Sequence, residues 1–209
     1  VSALQGTQVA ALTTAQAAAL GADEAAGISE ALIQSMESSD LAKLSVTFLK
    51  SLSTGAIQAL QTSQLNALTS TQFAALTPVQ VKALSTSQTL NLGTAQANSL
   101  IGTQLEMMTS TSLATLNTSA VANLTGSALT RMTASQVGAL SSTQVSALTT
   151  SQVQQLTALQ GGGFVASQVN ALSVPDLAQM NATVVGALQT QVVSQLSSSQ
   201  INSLNSSQA

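Results

Sequence analysis

Eleven charged side chains are all this sequence offers for acid–base or ionic chemistry. The carboxylates are Asp23, Glu24, Glu30, Glu37, Asp40, Glu106 and Asp176, and the cations are Lys43, Lys50, Lys82 and Arg131. With no His and no Cys there is no imidazole base, no thiol nucleophile and no ordinary zinc site. Asp23-Glu24 and Glu37 to Asp40 are the local acidic clusters, and neither has the spacing of a calcium loop. Gly161-Gly162-Gly163 lacks the Lys and the glycine spacing of a phosphate loop. No catalytic residue, metal ligand or cofactor is expected, and the chain does not read as an enzyme.

Partners are narrowed by the same census. Four cations against a formal net charge of -3 cannot neutralise a run of phosphates, and 1% aromatic residues gives bases nothing to stack on. Nucleic acid is therefore not an expected partner. No apolar run approaches the roughly 18 residues of a membrane span. Absence of Cys fits a reducing interior or a Cys-free secreted protein. Val1 is not an initiator Met, so the sequence reads as a processed chain or a piece of a longer one.

What must position the remaining polar groups is a repeat. From Leu4, every eighth residue to Leu204 is Leu, Ile, Met or Phe, 26 positions without an insertion or deletion. Five residues after this leucine position stands a second apolar residue (Val9, Ile33, Leu65, Val145), and Ala often precedes the leucine (Ala67, Ala75, Ala147). The residue after the leucine is Ser, Thr or Asn in 18 of 26 octads, and the one three further on is Gln in 15 of 26. The consensus is Thr-x-x-Gln-Val-x-Ala-Leu.

Thr-x-x-Gln before an apolar pair is a capping box: the Thr oxygen accepts the N–H three residues on, and the Gln reaches back to the Thr N–H. Val and Leu, three apart, share one face of a short helix. Each octad is therefore expected to be a helix of about two turns, restarted every eight residues. One continuous helix is disfavoured, because its apolar stripe would rotate by some 80° per octad. A β-solenoid is the alternative, since an even period suits strands. The Val and Leu positions, however, differ by an odd number and would face opposite sides of a strand. Two-turn helices are unstable alone, so the octads must stack. The expected fold is all-α: a single α-solenoid over residues 1–209, held by neighbour contacts.

Two stretches depart from the consensus. Residues 21–56 hold five of the seven acids together with Lys43 and Lys50, and their apolar stripes predict a pair of longer helices. Gly161–Gly163 predicts a hinge or bulge. Pro78 and Pro175 fall in the first helical turn, where a missing N–H costs little.

The texture of Ala139-Leu140-Ser141-Ser142-Thr143-Gln144-Val145-Ser146-Ala147-Leu148 resembles large low-complexity repeat proteins of bacteria. That resemblance implies a secreted or surface-associated location and transfers no catalytic residue. Neither end of the array carries a polar capping repeat, so Val1, Leu4, Val9 and Leu12 at one end and Ile201, Leu204 and Ala209 at the other are expected to form assembly faces. Head-to-tail contact between copies then builds a filament, making the chain an extracellular or cell-surface structural protein. The other functional reading is a stalk-like binding module. Runs such as Thr69-Ser70-Thr71, Thr109-Ser110-Thr111 and Thr149-Thr150-Ser151 would form hydroxyl ladders for polysaccharide or ice.

Overall fold

The computed structural model describes residues 5–208. Every octad of this stretch is rebuilt on one plan, giving 25 α-helices and no strand among the described residues. The architecture is an α-solenoid, and the β alternative falls because the capping residues start a helix in each octad. The helices run four to six residues, nearer one turn than two. Each stops early because the chain is extended again at the next N-cap, where ψ lies near 150°, as at Thr69 (φ -65°, ψ 159°). In many octads the leucine position is extended as well, for example Leu68 (φ -60°, ψ 135°). Two successive extended residues turn the chain between helices without any positive φ among the described residues.

The capping boxes hold. Thr69 Oγ1 accepts the Gln72 N–H at 3.2 Å, while Gln72 Oε1 accepts the Thr69 N–H at 2.8 Å. The same reciprocal pair recurs at Thr77 and Gln80, Thr133 and Gln136, and Ser141 and Gln144. Pro78 opens its helix (Pro78–Lys82) at the first position, and Pro175 takes the second position of Val174–Gln179.

Residues 21–56 correct the expectation of longer helices. They form α3 (Ala22–Ala26), α4 (Glu30–Gln34), α5 (Ser38–Leu41), α6 (Val46–Ser51) and the start of α7 (Thr54–Ala59), all of ordinary length. Ser29, Ser45 and Ser53 each accept an N–H at a new helix start, so the apolar stripes never join.

Each helix rests on the helix three octads earlier, as α6 does on α3 and α7 on α4. This stacking builds one continuous core. Every leucine position from Ile28 to Leu196 is buried, and the valine position is buried from Val9 to Val185. Apolar burial at two positions per octad stabilises helices too short to persist alone. No helix among the described residues is long and apolar enough to cross a membrane.

The triple glycine has a packing reason. A Cβ on Gly161 would lie 2.5 Å from the Val184 carbonyl oxygen, and one on Gly163 would strike the backbone of Ala134. Gly161 also fills a valine position and is buried. Here the coils approach backbone to backbone, which only residues without Cβ permit.

Candidate functional site: the two faces of a coil

The chemistry of this molecule is concentrated where one coil meets the next, and its agent is the consensus glutamine. Thirteen of the fifteen glutamines at that position are buried. Once Oε1 has closed its own capping box, Nε2 still carries two protons. In all thirteen it donates to the carbonyl of the leucine position 28 residues earlier, as Gln72 does to Leu44 at 2.8 Å and Gln144 to Leu116 at 2.7 Å. In twelve of them it also donates to the valine position 31 residues earlier, as Gln72 does to Leu41 at 3.0 Å. Gln96 is the variant: it takes the Asn66 carbonyl at 3.0 Å instead, and the Asn66 side chain accepts the N–H of Gly93. One coil of the superhelix therefore corresponds to a 28-residue step, or three and a half octads.

The carbonyls so engaged end the helices of the coil beneath; the leucine-position carbonyl has no backbone partner of its own, whereas the valine-position carbonyl already accepts the leucine N–H, as Leu41 does from Leu44 at 3.2 Å. One amide thus satisfies an orphan donor of its own helix and an orphan acceptor of another. Each such bond contributes about 1 kcal/mol net, and leaving a buried partner unmade costs more. Where this position is apolar, as at Phe48, Ala120 and Val184, its side chain is buried between the coils, and at Phe48 the N-cap Ser45 donates from Oγ to the Leu20 carbonyl at 3.3 Å. Asn117 adds a different bridge, donating from Nδ2 to the carbonyls of Leu90 and Leu92 at 3.0 Å each.

A coil consequently has two unlike faces. One presents amide donors; the other presents carbonyls and the valine-position side chains. At the ends these faces are open. Gln8 and Gln16 are exposed, unlike the thirteen that follow. Val193 and Ile201 are 40% and 51% exposed, although every earlier valine position among the described residues is buried.

Of the residues expected at the assembly faces, Ile201 is exposed, Leu12 and Leu204 are half-buried against the core, and Val9 is fully buried within the first coil. Val1, Leu4 and Ala209 lie outside the described residues. Gln8, Gln16 and Val193, which sequence reasoning did not select, belong to these faces. The signal for the glutamines was present: an acid would cap equally well, yet Glu stands at that position once (Glu24) against fifteen Gln. Only the need for a donor distinguishes them.

The charged residues do not converge. Glu106 and Arg131 form an exposed ion pair at 2.5 Å, one coil apart. Glu24 is held below the usual carboxylate range because its carboxylate accepts the Gly21 N–H at 2.9 Å. Thr69, Thr109 and Thr149, which open the hydroxyl runs, accept backbone N–H groups as N-caps, and the residues after them lie mostly on the exposed surface.

Fold and faces together define an octapeptide α-solenoid, a repeat protein in which each coil is the template for the next. Residues 33–70 and 49–78 match the family model of the ALTTAQ repeat, so a repeat of this type runs through that part of the chain. No curated protein matches the chain.

Proposed function

We propose that this protein is a structural element, the subunit of a filament in which copies stack end to end as coils stack within one copy. The observation that carries this reading is that the two faces of a coil are unlike and complementary at junction after junction within the chain. Gln8 and Gln16 offer amides of the kind that bind carbonyls throughout the interior, and the coil bearing Val193 and Ile201 offers carbonyls framed by exposed apolar side chains. Two unlike faces make a heterologous contact, and such a contact propagates into an open fibre when it does not close. A chain with 5% charged residues has little repulsion to oppose it. We assign the filament to the outside or surface of a bacterial cell on the strength of the sequence texture, with no catalytic role and no cofactor.

Negative-stain electron microscopy over a range of protein concentration tests this. Fibres of constant width are expected, and Val193→Glu together with Ile201→Glu shortens them to single rods while the helical circular dichroism stays intact. Isolated rods from the unaltered chain at every concentration overturn the proposal. Immunogold labelling of intact cells tests the location.

A further inference from the structure

Asp40 occupies the glutamine position of α5 and breaks the rule of its thirteen buried counterparts. It is 2% exposed, and its Oδ2 has no hydrogen-bond partner among the described residues. By the interior rule, the carbonyls beneath this position belong to Leu12 and Val9, 28 and 31 residues earlier. Aspartate is one methylene shorter than glutamine and, when ionised, donates nothing. A carboxylate there has nothing to give the carbonyl ends of the first coil and keeps one oxygen buried without a partner, whereas a carboxylic acid has one O–H to give.

We propose that Asp40 is a proton-operated latch between the first coil and the second, closed when its carboxyl is protonated and donates to the Leu12 or Val9 carbonyl, and open when it is ionised. The helices packed against α5 are α2 (Thr14–Ala18) and α8 (Thr62–Ala67), and neither carries a charged residue. Glu37 and Lys43 are the other charged groups of its octad. Burial, and then the negative charge of Glu37, push the Asp40 carboxyl above its ordinary range. Since the folded-state value is the raised one, the latch contributes fully below the ordinary carboxylate range and is lost as pH rises through the raised value. Glu24 works in the opposite sense: held low, it contributes above the ordinary range and is lost as pH falls through its lowered value. The two windows lie on either side of the ordinary range, so they are separable. This joint lies within one chain and does not depend on filament formation.

Hydrogen exchange on the full chain, corrected for intrinsic pH dependence, reads the latch at the first-coil amides of Val9, Ala17 and Ala25. Protection there is expected to rise severalfold as pH falls through the raised value of the Asp40 carboxyl toward the ordinary carboxylate range, while Val137 and Val145 in the middle of the array stay unchanged. Asp40→Asn, a permanent donor of the same length, and Asp40→Gln, the consensus residue, should both hold the acid level of protection across this range. A flat profile in the unaltered chain, a wild-type slope in Asp40→Asn, or loss of protection at every pH in both variants would each overturn the proposal.

Discussion

Replacing Gln104 with Glu separates the two tasks of the consensus glutamine. Gln104 is fully buried; its Oε1 accepts the Ile101 N–H at 2.9 Å, and its Nε2 donates to the carbonyls of Phe73, Ala74 and Leu76 at 3.2, 3.2 and 2.8 Å. Glutamate has the same length and keeps the acceptor, so the bond from the Ile101 N–H survives. What changes is the other end, where a carboxylate oxygen replaces the donor against three carbonyl oxygens. Losing the inter-coil bonds costs about 2 kcal/mol, and burying an uncompensated charge brings the total to roughly 3–5 kcal/mol at neutral pH. For a chain of this size each kcal/mol lowers Tm by about 2–4 °C, so a fall on the order of 10 °C is expected in thermal unfolding followed by circular dichroism. Desolvation raises the folded-state pKa of the new carboxyl, so the deficit should shrink as pH falls through that raised value, because a protonated acid donates again. Gln104→Met, which removes all four bonds without adding charge, should lose less at pH 7 and show no such recovery. Equal losses for Glu and Met at neutral pH, or a Glu deficit indifferent to pH, would refute the assignment of the amide as the donor that joins coils.

The glycines and caps give two further tests. Gly163→Ala drives a methyl group into the Ala134 backbone one coil away and should lower stability by about 1–3 kcal/mol in urea unfolding. Gly162→Ala meets nothing nearer than 3.6 Å and should be neutral or stabilising by up to ~1 kcal/mol, and a hinge-like role would instead make the two variants alike. Thr69→Ala removes the oxygen that accepts the Gln72 N–H and should cost about 1 kcal/mol in the same assay, whereas Ser70→Ala, one residue on at an exposed helical position, should leave the midpoint unchanged.

Much of this architecture is legible in the sequence because its rules are local. The reciprocal bonds of Thr69 and Gln72 span three residues, so the spacing of Thr and Gln places a helix start in the octads that carry both and favours helices over strands. The leucine at every eighth residue likewise marks the buried side, and burial runs unbroken from Ile28 to Leu196. Helix length was less legible. The stripes of residues 21–56 suggest long helices, but Ser29, Ser45 and Ser53 restart the chain, and a cap competes with an apolar stripe on equal terms only once packing is known.

The climb of the coil was not written in any single octad. It follows from joint angles such as those at Leu68 and Thr69 summed over three to four octads, and small differences in ψ accumulate into a different number of octads per turn. Only that sum brings Gln72 Nε2 to Leu41 and Leu44, and Gly163 to Ala134. Residue order alone is therefore enough for the helical class, most of the helix starts and the apolar sides, since these depend on contacts within one octad. The tertiary structure decided that the glutamine is a buried tie between coils, that the triple glycine is a site of close approach, and that Asp40 stands where a donor belongs, because each depends on partners about 25 to 31 residues away.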